Sequence, residues 1–558
     1  MKTQRRHVAR VMSCLLLLLT LAGLPSLARA ATCSDTIDRN SPVRSNGFAQ
    51  NLANTRNTAS GINAGNVATL KLALSHIASG STEKRGAPAV TDQAIFLSAG
   101  VDLVAIDRLE SCQYWSYSVP KRVGLSLRKN ALRSSSIYLL NADAHKPALV
   151  LAGDAFGHYY AVDAVSGQLA WSRFVGMDTE NSSITGGAQF VDGKLLVPVA
   201  SKEVLNTIFQ LLKICCTSHG QLQAIDPYTG DSIWTYETAA KATYQPSSRK
   251  MAPNGMSLWG TPAVDTARRT IYIGTGQNLT PPATDNSDAI VALDLDSGRS
   301  KWVFQSTAGD AWNAGCELRP PLRGDCVEPA GKDFDFGAPP ILAKRSGAKD
   351  AVIAGAKNGV IYSLDPDTGA LNWQRKLGRG GNLGGVHWGM AVDGTRVYVA
   401  ISDVSLNKTS KFNLNRLLVN PTPPPEGDAH PGVYALDLAT GAVLWQVHPT
   451  HQYEGASYAS IFSAALSVTN DVVFASSLDG VVYALRSRDG AQLWRYDTAQ
   501  PYTDKAGNSG NGGTIDSVGA IVAGNDVLVN SGYDTFGKAG AMQAGPGNAL
   551  LVFRLPGG

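Results

Sequence analysis

The chain has 558 residues, 44% of them hydrophobic and only 17% charged, with 57 Gly and 27 Pro. Five of its 49 Lys and Arg, and none of its 45 Asp and Glu, fall in the first thirty residues; the remainder, 44 basic against 45 acidic, offers no basic surface to nucleic acid. So much glycine and proline with so little charge describes many short strands joined by tight turns.

The N-terminus reads as a targeting segment. Lys2, Arg5, Arg6 and Arg10 precede an apolar run from Cys14 to Leu24, and Ala28-Arg29-Ala30 is a small-x-small cleavage site. This is the pattern of a secretory signal peptide, so residues 1–30 are excluded from the fold and residues 31–558 are read as a single domain. An uncleaved anchor is the alternative. No later apolar run approaches the roughly 20 residues a membrane helix needs. A periplasmic or secreted location is expected, and six cysteines remain: Cys33, Cys112, Cys215, Cys216, Cys316 and Cys326. An even number in an exported chain suggests disulfides. Cys316–Cys326, which closes a short loop, and Cys33–Cys112 are the favoured pairs. Adjacent Cys215 and Cys216 are left either as a vicinal disulfide or as two buried thiols.

One pattern then recurs along the chain: an apolar strand, Asp, a Gly turn, and Trp four residues after the Gly. Tyr160-Ala161-Val162-Asp163 leads to Gly167 and Trp171, and Gln223-Ala224-Ile225-Asp226 to Gly230 and Trp234. The same order gives Asp294, Gly298 and Trp302; Asp365, Gly369 and Trp373; and Asp437, Gly441 and Trp445. A later copy, Gly490 and Trp494, has Arg486 in place of Asp, and a degenerate first copy runs Val104-Ala105-Ile106-Asp107 to Trp115. Strand, Asp/Gly turn, strand is an antiparallel hairpin. A large aromatic at a fixed place in each unit suits packing between neighbouring sheets. The Trp-to-Trp spacing of 49 to 72 residues accommodates a four-stranded blade.

Seven copies are visible. Strands after Trp494, completed by an early unassigned strand at Leu70 to Leu74, make an eighth unit. The expected fold is therefore an all-β, eight-bladed β-propeller, with seven blades as the alternative. Such a ring has a central channel whose mouth is the default ligand site. Segments 204–214, 316–335 and 411–432 are the long connections expected to overlie it.

The repeat resembles that of the pyrroloquinoline-quinone (PQQ) alcohol dehydrogenases, and more closely the polyvinyl-alcohol dehydrogenases. The resemblance rests on Asn54-Thr55-Arg56, Cys215-Cys216-Thr217, Trp259-Gly260-Thr261-Pro262 and Gly274-Thr275-Gly276. It continues through Ser287-Asp288-Ala289, Gly309-Asp310-Ala311-Trp312-Asn313, Asp333-Phe334-Asp335-Phe336-Gly337 and Leu383-Gly384-Gly385. It covers essentially the whole mature chain. It implies a quinone on the channel axis, a divalent cation, usually Ca²⁺, acting as Lewis acid, and a base for the alcohol proton.

Residue by residue, the resemblance implies that Arg122 contacts the quinone carboxylates, that the ring stacks on Trp259, and that Lys357 bonds the quinone oxygens. Cys215–Cys216 is expected against the quinone face, although it comes a blade later than in the classical enzymes. Glu203 matches the metal-ligating glutamate, and Gln277, with Asn278 beside it, stands where a metal-binding Asn is usual. The base is a departure: the classical enzymes have Asp where this chain has Asn313, so Asp310 is the candidate, with Asp333, Asp335 and Asp516 in reserve. No Cys-x-x-Cys-His haem motif occurs, which points to a separate electron acceptor such as a soluble cytochrome c. His387 and His219 read as lone polar residues near the mouth. Two functions fit: PQQ- and Ca²⁺-dependent oxidation of secondary alcohols, polymeric ones included, to ketones, or a non-catalytic propeller scaffold of the same ancestry.

Overall fold

The structure, a computed structural model, describes residues 32–78, 81–82, 84–123, 131–206, 215–317, 326, 329–345, 347, 349–404, 427–533 and 544–557. The signal segment 1–30 lies outside the described residues, as do most of 204–214, part of 316–335 and most of 411–432.

The described chain is nearly all β, and it forms eight antiparallel blades, six of four strands and two, the first and third, with a fifth short strand added. Blade 2 is typical: Tyr138–Leu140, Leu149–Gly153, His158–Asp163 and Leu169–Phe174 pair in that order. Its first three strands are mostly buried, and its fourth is largely exposed apart from Trp171, so the fourth is outermost. Neighbouring blades touch through their first strands, as between Ala263–Asp265 of blade 4 and Ile341–Ala343 of blade 5. The first strands therefore wall the channel.

The repeat is the device that joins blades. Each Asp caps its own turn, as Asp226 Oδ1 accepts the amides of Tyr228 and Thr229 at 2.7 and 3.1 Å. Each Gly has positive φ, between 69° and 74° in the six full copies. Each Trp leans on the Gly of the next blade. A methyl group on Gly167 would lie 2.6 Å from Trp115 Cγ, and one on Gly369 2.6 Å from Trp302 Cε3. Trp115, Trp171, Trp302, Trp373 and Trp445 each donate Nε1–H to a carbonyl of that next turn, at 2.8–3.2 Å. In the degenerate first copy Ser111 occupies the Gly place at φ 63°.

The ring closes as the sequence predicts, with a slightly longer strand. Lys71–Ile77 pairs antiparallel with Ala549–Arg554, Lys71 opposite Arg554 and Ile77 opposite Ala549. The N-terminal strand thus supplies the fourth strand of blade 8. That blade has no Asp/Gly/Trp turn, and Trp494 of blade 7 meets the Phe553 ring edge-on at 5.2 Å instead.

The segment before that strand runs inside the ring. Carbonyls of Leu52, Ala53, Thr55 and Arg56 accept from Val264, Leu342, Val392 and Val468, which lie on the first strands of blades 4, 5, 6 and 7. The Arg56 side chain, 1% exposed, bonds the Phe48, Val518 and Ala520 carbonyls and Ser467 Oγ. Phe48 reaches the axis, against Gly187 before blade 3 and Gly389 before blade 6. It forms one apolar cluster with Trp388 and Trp259 and floors the channel. The two favoured disulfides, Cys33–Cys112 and Cys316–Cys326, are present, and of the two alternatives for Cys215 and Cys216 the structure has the vicinal disulfide.

Candidate active site

Antiparallel blades sort their connections. The Asp/Gly turns and the turns joining first to second strands emerge at one end of the ring. The connections from second to third strands, and from blade to blade, emerge at the other. Every predicted site residue lies on the second kind: Glu203, Cys215 and Cys216, Gln277 and Asn278, and Lys357 between second and third strands, and Arg122, Trp259 and Asp310 between blades. Three two-stranded hairpins, Thr243–Gln245 with Lys250–Ala252, Thr450–Tyr453 with Ala456–Ala459, and Pro501–Thr503 with Ser509–Asn511, rise from blade-to-blade connections at the same end.

Trp259 is the centre of the site. Its half-buried ring lies over Gly337, where any Cβ would fall 1.8 Å from Cη2, so only glycine fits there. Its Nε1–H donates to Asp335 Oδ2 at 2.9 Å. Lys357 Nζ stands 5.2 Å from the ring centroid and bonds Asp333 Oδ1 and Asp335 Oδ2, both at 3.2 Å. Burial lowers the Lys357 ammonium pKa, but the two carboxylates more than offset this and leave it raised. Burial pushes Asp333 well above the usual aspartate range despite Lys357. Gln277 joins this group through its amide, 3.3 Å from Asp335 Oδ1, and its side-chain Nε2–H donates to the Trp312 carbonyl.

Asp310 flanks the cluster. Its oxygens accept the Lys332 and Phe334 amides at 2.8 and 3.3 Å, and burial raises its pKa. Asn313 is structural, bonding the Leu279 carbonyl and the Gly315 amide. Asn278 departs from the expected ligand role. Its amide nitrogen donates to the Asn254 carbonyl and its oxygen accepts from Thr284, so both ends of the amide are committed to the loop.

Glu203 and the cysteine pair form a second group. Glu203 Oε2 accepts the Thr217 and Ser218 amides at 2.9 and 2.7 Å and the Ser218 hydroxyl at 2.6 Å. Cys215 and Cys216 are buried against Leu279. Among the described residues the only three His, Cys, Asp or Glu ligand atoms close together are those of Glu203, Cys215 and Cys216, and two of these are spent in the disulfide. Asn254 links the groups, donating to the Cys216 carbonyl at 3.0 Å and accepting from Leu279 and Thr280. Arg122 is placed elsewhere on this end, where its charge acts on His158 and Tyr160 of blade 2.

Three residues at the centre escaped the sequence. Arg85 lies 4.5 Å over the Trp388 ring and 5.7 Å from that of Tyr533, and Trp388 meets Trp259 edge-on at 5.3 Å. None carries a repeat signature. His387 is not the lone residue expected, since its Nδ1 lies 2.7 Å from Ser463 Oγ. At the opposite end, a cleft of about 460 Å³ is lined by Asn57, Ala59, Asp393, Thr395 and Asn470. It gathers no comparable chemistry; Asp393 caps its own turn and accepts the Tyr398 hydroxyl.

A planar tricarboxylate quinone needs a flat apolar face and N–H or O–H donors. Trp259 supplies the face and Lys357 a charge. Trp388 Nε1, Ser136 Oγ and Tyr533 OH are buried without partners among the described residues. This donor set fits such a cofactor.

Comparison with known proteins agrees. Residues 48–324 match the family model described as glucose/ethanol/alcohol dehydrogenase, beta-propeller domain. The chain is 31% identical over 538 residues to a polyvinylalcohol dehydrogenase of Pseudomonas sp., covering 93% of this chain and 78% of that protein. It is 30% identical over 486 residues to the enzyme of that name from Sphingopyxis sp., covering 84% and 70%. The fold matches the quinohemoprotein alcohol dehydrogenase of Comamonas testosteroni with a TM-score of 0.67 at 20% identity, covering 93% of this chain and 81% of that one. The chain therefore belongs to the PQQ-dependent alcohol dehydrogenases, among the relatives of polyvinylalcohol dehydrogenase, and is an alcohol oxidoreductase.

Proposed function

We propose that this enzyme oxidises secondary hydroxyl groups, including those along a polymeric polyol, to ketones with PQQ and Ca²⁺. It passes electrons to a separate acceptor such as a soluble cytochrome c, in the periplasm or outside the cell. The observation that carries the reading is the Trp259–Asp335–Lys357–Asp333 cluster above a channel floored by Phe48. A cluster seated over Phe48 and bordered by the blade-to-blade connections suits a cofactor held below a long substrate lying across the rim. Two relatives named for polyvinyl alcohol support the polymeric substrate. No helix among the described residues is long and apolar enough to cross a membrane.

The bound quinone supplies the two-electron acceptor. Trp259 offers its face, Lys357 offers positive charge, and Cys215–Cys216 closes the side near Glu203. Glu203 and Gln277 each keep a side-chain oxygen clear of hydrogen bonds among the described residues and would hold the cation, a hard ion that takes oxygen ligands. Asp310 takes the hydroxyl proton on a carboxylate oxygen. Its raised pKa makes it a stronger base than an exposed aspartate.

The test is reconstitution of purified apoprotein with PQQ and Ca²⁺, followed by reduction of an artificial electron acceptor with a secondary alcohol. Activity and a thermal shift are expected with both additions, and a chelator should abolish activity until Ca²⁺ is restored. Asp310→Asn should lower kcat by about 100-fold or more. A protein that neither binds PQQ nor turns over would overturn the reading.

A further inference from the structure

Three successive blade-to-blade connections bring His387, Ser463 and Asp516 into one chain beside Trp259. His387 Nδ1 lies 2.7 Å from Ser463 Oγ, and Ser463 Oγ lies 2.7 Å from Asp516 Oδ1. All three are buried, at 4–6% exposure. The direction of each bond can be worked out. Asp516 Oδ1 also accepts the Ser517 amide at 2.8 Å, so it is an acceptor toward Ser463 as well. The single Ser463 proton is then spent on Asp516. Ser463 Oγ must therefore accept from His387, which places the imidazole proton on Nδ1.

The other ring nitrogen follows. Burial, with Lys357 and Arg85 nearby, holds the His387 pKa well below its ordinary value and keeps the ring neutral. A neutral ring with its proton on Nδ1 has a bare lone pair on Nε2. The ring centroid is 5.7 Å from that of Trp259 and 5.4 Å from that of Trp388. Beside the Asp333, Asp335 and Asp310 carboxylates, the site thus contains an uncharged acceptor held in one orientation.

We propose that Asp516 and Ser463 are positioning residues that lock His387 with Nε2 as a hydrogen-bond acceptor for an O–H group of the reactants. The inference rests on Trp259 marking the quinone site. Two O–H groups have the required chemistry: the hydroxyl of the alcohol, and the hydroxyl that the quinone acquires on reduction. Accepting from the first lowers KM. Accepting from the second favours the reduced cofactor, because the oxidised quinone has no such proton, and raises its midpoint potential. His387 gains no proton in either case, so the overall reaction is unchanged.

The first experiment needs no cofactor. In apoprotein labelled with ¹⁵N-histidine, NMR near neutral pH should show His387 neutral with its proton on Nδ1, and Ser463→Ala should release that preference. A proton on Nε2, or an imidazolium, would sink the proposal whatever the cofactor. The second uses reconstituted holoenzyme carrying His387→Phe, which keeps a flat ring and removes the acceptor. KM for a secondary alcohol should rise about tenfold with kcat kept if the partner is the alcohol. The midpoint potential should fall by about 30 mV, a tenfold change for a two-electron couple, if it is the reduced quinone. Should His387→Phe not fold, Ser463→Ala should move the same quantity in the same direction. Unchanged KM and potential in a variant that binds PQQ normally would refute the proposal. Failure of the wild type to bind PQQ would instead refute the quinone site and leave the NMR result standing.

Discussion

Lys357 is held among groups whose effects oppose one another. Burial disfavours its charge, and Asp333 and Asp335 at 3.2 Å restore it. Removing the cation leaves two buried carboxylates facing each other, so Lys357→Met should cost about 3–5 kcal/mol in denaturant unfolding. Asp310 makes a prediction in pH. Its carboxyl is raised by burial and must be ionised to accept a proton. The kcat/KM of the reconstituted enzyme should therefore fall as pH drops through a value above the ordinary aspartate range, and this limb should vanish in Asp310→Asn. At this scale the sequence was informative wherever chemistry restricts the residue type. Trp259, Lys357 and Asp310 were legible because they break the repeat or sit in a distinctive motif. Arg85 and Ser463 were not, since an arginine or serine in a connection has many ordinary uses. Only their distances to Trp388 and His387 give them meaning.

The turn of each blade shows how a repeated tetrad becomes an interface. Gly369 and Gly193 share φ 74°, but a methyl group on Gly369 would strike Trp302, whereas Gly193 has nothing within 4 Å. Gly193→Ala should cost about 1–2 kcal/mol from the left-handed conformation alone. Gly369→Ala should cost roughly 1–3 kcal/mol more from the clash, and the difference between their unfolding free energies measures the blade-to-blade contact. The first blade shows the same rule from the other side, since Ser111 holds the Gly place at φ 63°. Blade 8 lacks the tetrad, and its outer strand, Lys71–Ile77, carries no Trp to lean on that turn. The periodicity therefore announced seven blades directly and the eighth only by the strands left over.

Closure of the ring belongs to the whole molecule. Blade 8 is stitched from both ends of the chain, Lys71–Ile77 against Ala549–Arg554. A chain ending before residue 549 loses the strand between Asp526–Ser531 and Lys71–Ile77 and opens the ring. Such a truncation should lose cooperative thermal unfolding by circular dichroism, not merely lower its midpoint. The segment around Arg56 adds a second tie, because its carbonyls bond four consecutive blades. Mature protein from the native host should begin at Ala31 by N-terminal sequencing if residues 1–30 are removed on export.

The sequence by itself pointed to the blade repeat, the ring, its closing strand and two of the three disulfide pairs. The first three follow from local periodicity, the pairs from the even number of cysteines in an exported chain, and the state of Cys215 and Cys216 was left to the structure. The sequence also singled out Trp259, Lys357 and Asp310 as candidates, because the family resemblance implies an aromatic face, a lysine and a carboxylate. Only the tertiary structure decided which of those residues meet. It drew Trp259, Lys357, Asp333 and Asp335 together, set Glu203 with the cysteine pair, kept Asn278 for the loop, and turned His387 from a lone residue into the end of a hydrogen-bonded chain. The reason is geometric. Connections from different blades converge at one end of a closed ring, so residues far apart in sequence become neighbours, and no local pattern records that distance.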